Sequence, residues 1–497
     1  MWVMTRRSRR FIVRTPLKPE NLRVSRSVEW SNGVNAALRQ VNCNRGAGSY
    51  VCTIIMTKKT WLFTIALCAV GWVVTAVGGE KSAPQKPNII LIYSDDVGLG
   101  DIGCCGGPFK TPQIDALAKG GTRFEYCYST PLCGPSRCQT LTGRYPFRTG
   151  LINNQSHNAI QPGHEIMIPT VLKKAGYVTA SVGKWGQMSF GPGEWGFDEY
   201  IVFPGSGRYW REQTPRYKVN GEQKDLPEGK YLPDLMHEFL VKFLASHKDE
   251  PFFVYYPMSH IHGPILRTPD SKRGAGSDQL YADNVQYMDK LVGKLMGELD
   301  RLHLREKTLV LFTGDNGTAR FGVTAATVNG RSISGQKATM LEGGSRVPLI
   351  ANWPGVTPKG KVNRDLIDFS DFFATFAELG GAPLPEGVKL DSHSFAAQIK
   401  GEKGKPRDWV YVELNGKSYV RDARFKLTNH GEFFDLSEAP YREIAVASDT
   451  TDAAALGARK NLQAVLAQLP TAPPGREPNA QAKAQKRKAR RALQKAQ

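Results

Sequence analysis

Short apolar runs that each end in polar residues constrain this chain more than any other feature. They read NIILIY at 88–93, YVTASVG at 177–183, PFFVYYP at 251–257, TLVLFTG at 308–314 and VPLIANWPG at 347–355. Runs of this length, rich in β-branched and aromatic residues, predict strands buried on both faces. Between them lie helical patterns. TPQIDALAKGG at 111–121 predicts a helix closed by glycine, and YADNVQYMDKLVGKLMGELDRLHL at 281–304 a long amphipathic one. Strand–helix alternation predicts an α/β fold, a large and mostly parallel sheet flanked by helices. Near residue 405 the texture changes to short alternating runs with an Asn-Gly turn signal at 415–416. That predicts a small antiparallel C-terminal subdomain.

The 497 residues suffice for a large core. The expected segments are a basic extension over 1–55, the main domain over 86–400, the antiparallel subdomain over 405–450, and a helix with a basic tail over 451–497. The extension reads as disordered or as the product of a misassigned start. Residues 56–79 carry two lysines, an apolar run and small residues near Ala76 and Gly78. That is the layout of a signal peptide, or of a signal anchor if translation starts at Met1. Either reading places the body outside the cytosol, exported to a periplasm or secreted, with no stable membrane insertion after signal cleavage. The formal charge of +20 suggests nucleic acid at first sight. Most of it sits at the two ends, around Arg6, Arg7, Arg9 and Arg10 and around Lys486, Arg487, Lys488, Arg490 and Arg491. Basic ends of this kind are solvated tails, so no nucleic-acid partner is expected. The body holds Cys104, Cys105, Cys127, Cys133 and Cys138. An odd number leaves at least one outside any disulfide, and no cysteine–histidine spacing fits zinc.

In open α/β sheets, sites form beyond the carboxyl ends of the strands. The run at 88–93 delivers Asp95 and Asp96, and the run at 308–314 delivers Asp315 and Asn316. Each pair alone fits an ordinary strand end or turn. Together they offer hard oxygen ligands suited to calcium or magnesium. Lys184 follows the 177–183 run, His262 the 251–257 run, and Lys337 precedes the 347–355 run. Singly each could be a solvated charge; converging, they would hold a compact anion. His260 is a weaker candidate beside His262. In PLCGPSRCQTLTGRYP at 131–146, Pro135 suits the first turn of a helix, with Cys133 at about its cap. Arg137, four residues on, would lie on the same helix face.

The segment Cys133-Gly-Pro-Ser-Arg137, continued by Leu141-Thr142-Gly143-Arg144, resembles the sulfatase signature C-x-P-S-R-x-x-x-L-T-G-R at every fixed position. PNIILIYSDDVGLGDIGCCGG, FTGDNG and EGGSRVPLIANWPG resemble further pieces of that family, in its order, over about residues 86 to 445. The resemblance implies an alkaline-phosphatase-like sandwich, with the sulfatase catalytic domain over 86–400. It implies hydrolysis of sulfate esters on a sulfated small molecule or glycan, through a covalent formylglycine–sulfate intermediate. Cys133 would be converted to formylglycine (3-oxoalanine) by a formylglycine-generating maturation enzyme. One Ca2+ would be held by Asp95, Asp96, Asp315 and Asn316, with an oxygen of modified Cys133. Arg137 would stabilise the diol and the metal-site charge, Lys184 and Lys337 would bind sulfate oxygens, and His262 would contact the sulfate or protonate the leaving oxygen. One departure stands out. Many members read Gly-Lys-Trp-His where this chain has Gly186 and then Gln187. Two alternatives stay open: a phosphomonoester or phosphodiester hydrolase of the same superfamily, and an inactive carbohydrate-binding homologue. Residues 203–231, with Arg208, Tyr209 and Trp210, would line a sugar cleft or form an incidental surface loop.

Overall fold

A computed structural model describes residues 86–186, 188–322 and 324–470, and the backbone of three N-terminal strands. Those strands, Phe11–Thr15, Gln40–Gly46 and Ser49–Ile55, form one antiparallel sheet with Ser49–Ile55 in the middle. The signal segment expected at 56–79, Gln187 and the basic tail lie outside the described residues. The described residues from Lys86 onward belong to a second unit, described below by itself.

Its spine is Asn88–Ser94 (β1), every residue of which is buried. Alternation explains how both faces are filled. Ile89, Leu91 and Tyr93 enter one apolar cluster, while Ile90 and Ile92 enter the other. Each fully buried isoleucine or leucine contributes about 1.5–3 kcal/mol relative to exposure. Pro112–Lys119 (α1) follows, then Thr122–Tyr128 (β2), Cys133–Thr142 (α2), Val178–Gly183 (β3) and Glu199–Val202 (β4). Arg216–Val219 (β5) and Glu222–Asp225 (β6) extend the sheet as a hairpin. Next come Leu232–Ser246 (α3), Phe252–Tyr256 (β7), Ser277–Arg301 (α4), Thr308–Gly314 (β8), Arg346–Asn352 (β9), Lys361–Asp368 (β10) and Asp371–Gly380 (α5). The ten-stranded sheet runs β10-β2-β9-β8-β1-β7-β3-β4-β5-β6. α3 and α4 cover one face through Leu240, Met288 and Leu291, and α2 and α5 the other through Leu141, Phe372 and Phe376. Asp289 of α4 caps α1, accepting from the backbone N–H groups of Gln113 and Ile114 at 3.0 and 2.8 Å. This satisfies donors that every helix start leaves open.

β8, β1, β7, β3 and β4 are parallel, as the apolar runs predict. β9 is the exception at the centre, antiparallel to both β8 and β2. Its beginning therefore lies at the edge where the parallel strands end. The C-terminal sheet is Val410–Leu414 (β11), Lys417–Arg421 (β12), Phe425–Thr428 (β13), Phe433–Asp435 (β14) and Ile444–Ala445 (β15), antiparallel throughout. Asn415 and Gly416 turn the first hairpin with φ of 48° and 86°, the left-handed pair that a two-residue turn requires. Ala453–Leu466 (α6), capped by Asp452 on the Ala454 N–H at 2.9 Å, packs on this sheet through Ala455 and Leu462.

A buried polar knot joins the two sheets. Glu342 accepts from Tyr128 of β2, Arg346 of β9 and Arg421 of β12. Arg421 also donates to the Tyr128 hydroxyl. Lys426 of β13 pairs with Glu443 at 2.5 Å, and Glu443 accepts from the Glu342 N–H.

Candidate active site

The ends of the parallel strands are laced to one another past the last ladder bond. Asp315 N–H donates to Ser94 O at 2.8 Å, Asp95 N–H to His260 O at 2.8 Å, and Ile261 N–H to Asp95 O at 2.7 Å. Lys184 N–H donates to Pro257 O at 2.8 Å. These bonds place Asp95, Asp96, Asp315, Asn316, Lys184 and His262 around one point. Asp95, Asp96, Asp315 and Asn316 are essentially inaccessible. The Asp95 and Asp315 carboxylates and Cys133 Sγ lie within 4.8 Å of one another, as do Asp95, Asp96 and His262. Cys133 is the first residue of α2, and Leu132 is its cap, one position earlier than the sequence suggests.

Arg137 is wholly buried. Its Nη2 and Nε donate to Asp315 Oδ2 at 2.6 and 3.1 Å, and Nη2 lies 3.7 Å from Asp95 Oδ1. Nη1 reaches Tyr255 Oη and Lys184 O, both at 3.3 Å. Lys184 Nζ sits 2.5 Å from Asp95 Oδ2. Lys337 pairs with Asp96 Oδ1. It arrives from the chain preceding β9, and the reversal of that strand is what brings it to this edge; Ala338 N–H to Pro131 O at 2.7 Å fixes the loop beside α2. His262 Nδ1 is 2.6 Å from Gly263 O, so that nitrogen carries the proton and Nε2 faces Asp96 Oδ2 at 3.9 Å.

Electrostatics follow from this packing. Burial alone would raise the Asp95 carboxyl, but Lys184, His262 and Arg137 outweigh it and hold it well below the usual carboxylate range. Asp315, pushed by burial and by Asp95 against the pull of Arg137, rises to about 7. Burial opposes charge on Lys337, yet Asp96 and its acidic neighbours raise it overall. Burial lowers His262, with Asp95 and Asp96 opposing.

Every predicted site residue thus converges, while other sequence expectations need correction. The His260 ring lies away from the cluster. It stacks on Tyr209 at 4.9 Å, meets Tyr231 Oη at 3.1 Å, and burial pushes it down to about 3. Only its carbonyl serves the site. Tyr209 does not offer a sugar platform, and Trp210 is half-buried. Tyr209 is 1% exposed, and Trp210 packs on Tyr231 at 4.9 Å and donates to Arg267 O. Cys104, Cys105, Cys127 and Cys138 form no disulfide. Asn154 was missed. Its Oδ1 accepts from Gly134 N–H at 3.0 Å, which turns its Nδ2 toward Cys133 Sγ at 3.4 Å. The preceding Asn153 donates to Asn415 Oδ1 at 2.9 Å, so the C-terminal hairpin braces this loop. Ser136 was missed as well: its hydroxyl bridges Tyr93 Oη at 2.6 Å and Asp315 O at 2.5 Å. At Gly186 the backbone is left-handed, φ 89°, against the Arg137 side chain. Among the described residues no helix is long and apolar enough to cross a membrane.

Residues 87–382 match the family described as Sulfatase. N-acetylgalactosamine-6-sulfatase of Canis lupus familiaris is 35% identical over 388 residues, 69% of this chain and 72% of that protein. Arylsulfatase A of Homo sapiens is 32% identical over 397 residues, 71% of this chain and 76% of that protein. The crystal structure of Ps i-CgsB in complex with k-i-k-neocarrahexaose matches with a TM-score of 0.67 and 29% identity, covering 77% of this chain and 93% of that one. That of PsFucS1 sulfatase from Pseudoalteromonas sp. matches with a TM-score of 0.67 and 24% identity over 85% and 97% of the two chains, a likeness of fold.

Proposed function

The chain belongs to the sulfatase family, and from that premise we propose that it hydrolyses sulfate esters of carbohydrates with one Ca2+ and with Cys133 converted to formylglycine. The observation that carries this reading is the meeting of two acidic strand ends with Cys133 in one buried cluster. The donor set fits a hard divalent cation. Asp95 Oδ1 and Asn316 Oδ1 are both buried without a hydrogen-bond partner, and such orphaned oxygens are costly unless something coordinates them. Asp95, Asp96, Asp315 and Asn316 would hold the ion, together with the modified residue 133. Bound there, it would screen the sulfate charge and favour the ionised form of the attacking hydroxyl. The hydrated aldehyde at 133 would supply that hydroxyl and a second one whose deprotonation expels sulfate.

The chain's own groups perform the remaining tasks. Asp95, Asp96 and Asp315 face Arg137, Lys184 and Lys337, so the cluster by itself is near electrical balance. A divalent ion tips it positive, the sign that an anionic ester needs. Arg137, forked onto Asp315 and near Asp95, orients the carboxylates beside residue 133. The Lys184 and Lys337 ammonium groups would share their charge with sulfate oxygens. His262, with its Nδ1 proton committed to Gly263, presents Nε2 as the group that exchanges a proton with the leaving oxygen. Maturation needs a formylglycine-generating partner, and export to a periplasm or to the medium fits this reading.

The test is mass spectrometry of the peptide containing Cys133 from a maturation-competent host, combined with turnover of an aryl sulfate before and after chelation. Aldehyde at 133 and activity restored by calcium are expected. Unmodified thiol together with calcium-independent turnover would refute the reading. Faster turnover of the matched aryl phosphate would move the chain to the phosphoesterases.

A further inference from the structure

We propose that the pocket walled by His157, Asn158, Gln161, Ser189 and Phe190 is a subsite for an uncharged sugar ring adjoining the sulfated one. The inference rests on the sulfatase reading and adds a binding site to it. The pocket measures about 370 Å³ and is open to solvent, within the range of small-ligand sites, about 300–1,000 Å³.

Its two walls are the loops that leave the catalytic cluster. One runs on from Asn154, which touches Cys133. The other runs on from Lys184 through Gly186, which lies against Arg137. Ser189 staples them, its hydroxyl donating to His157 O at 2.5 Å, with Asn158 Oδ1 3.1 Å away. His157 follows Asn154 by three residues and Ser189 follows Gly186 by three, a chain reach of at most about 11 Å, so a ligand bound at the catalytic cluster has this pocket within one ring or two.

Phe190 identifies the pocket as more than a surface dent. It is 55% exposed, more than any other large hydrophobic side chain among the described residues. Its backbone is left-handed, with φ 64°. A bulky residue there is strained by about 1–3 kcal/mol. The surroundings enforce the strain. Trp185 Nε1 donates to Phe190 O at 2.8 Å, and Trp195 Nε1 donates to Ser189 O at 2.7 Å. Both indoles are buried in the core. Two tryptophans thus hold a phenyl ring out in water, where folding gains nothing from it.

The wall chemistry selects the ligand. It contains no carboxylate, lysine or arginine. The side-chain amides of Asn158 and Gln161 each offer donor and acceptor together, the pattern that paired sugar hydroxyls require. An aromatic face suits the C–H side of a pyranose. A sulfated or acidic ring would find no lysine or arginine here and only the His157 imidazole, so the occupant is the neutral neighbour.

The experiment compares wild type with Phe190→Ala and Asn158→Ala, using three probes: 4-nitrophenyl sulfate, an N-acetyllactosamine tetrasaccharide carrying a single 6-sulfate, whose neighbouring rings are neutral, and k-i-k-neocarrahexaose. Both variants should keep wild-type kcat/KM on 4-nitrophenyl sulfate, which reaches only the catalytic cluster. On whichever oligosaccharide is turned over faster, kcat/KM should fall about tenfold, carried by KM, the loss of one good contact. Equal losses on aryl sulfate and oligosaccharide, or none on either, would overturn the subsite. So would a wild type that uses the aryl sulfate and neither oligosaccharide. A wild type that turns over no sulfate ester at all would instead remove the sulfatase reading, and the subsite with it.

Discussion

Replacing Glu342 by Gln isolates the polar knot that ties the C-terminal sheet to the catalytic sheet. The side chain is 1% exposed and takes Tyr128 Oη at 3.0 Å on each oxygen, Arg346 Nη1 at 3.3 Å and Arg421 Nη1 at 3.4 Å. Arg346 keeps a second carboxylate in Glu125, at 2.8 Å. Arg421, itself 1% exposed, keeps only the carbonyls of Asp422 and Ala423 and the Tyr128 hydroxyl. Removing one partner of a buried pair costs about 3–5 kcal/mol. The glutamine retains shape and one acceptor and strands only one arginine, so a loss of about 3 kcal/mol is expected. Denaturant unfolding followed by tryptophan fluorescence at pH 7 measures it. The double variant Glu342→Gln/Arg421→Met should recover part of the loss, because it removes the stranded charge. Burial pushes the Glu342 carboxyl up, but Arg421, Arg346 and Lys426 outweigh it and hold it below its usual value. A depressed carboxyl contributes stability above its unfolded pKa, about 4.3, and loses it as pH falls through the folded value. The wild-type and Glu342→Gln curves should therefore converge in acid. A loss below about 1 kcal/mol at pH 7, the worth of a surface pair, or a gap that widens in acid, would refute the reasoning.

Restoring the family's usual histidine by Gly186→His should lower activity and melting temperature, since φ of 89° strains any side chain by about 1–3 kcal/mol and the new Cβ would lie 3.2 Å from Arg137 Cδ; a rise in kcat would contradict this. Asn154→Ala should lower kcat about tenfold, the value of one hydrogen bond to a reacting group, with the aldehyde content at 133 unchanged by mass spectrometry; a fall explained wholly by lost aldehyde would assign Asn154 to maturation. Burial raises the Asp289 carboxyl to about 6 against the pull of the Ile114 and Gln113 N–H groups. A raised carboxyl gives stability that is complete below the unfolded pKa, about 3.9, and is lost as pH rises through about 6. Urea midpoints should accordingly fall more steeply between pH 4 and 7 for wild type than for Asp289→Asn, and parallel profiles would refute the assignment.

The cluster was legible in sequence because its parts stand at strand ends, and apolar runs advertise where strands stop. Asp95, Asp96, Asp315 and Asn316 needed no more than that, and Asn415-Gly416 announced its hairpin by the same local logic. Lys337 was harder. Nothing in VPLIAN records that its strand runs backwards, and only the pairing of β9 with β8 and β2 explains why a residue ahead of the strand reaches the same edge. Tyr209 misled because an aromatic-rich loop has one composition whether its rings face sugar or stack inward. The stack on His260 is a tertiary outcome. Asn154 and Phe190 carry no local signal at all. One depends on the Gly134 N–H to orient its amide, the other on two distant indoles.

The reciprocal bonds between Asp95 and His260–Ile261 carry a further consequence. They continue the β1–β7 pairing into what would otherwise be two independent connections, so the acid ligands and the imidazole of His262 shift as one block or not at all. Adapting such a block to a new ester by altering its own residues would disturb everything it holds. The rim built from 157–161 and 188–190 hangs outside that lacing and can be recut piecemeal. A designer seeking another substrate should leave the laced floor intact and graft onto the rim.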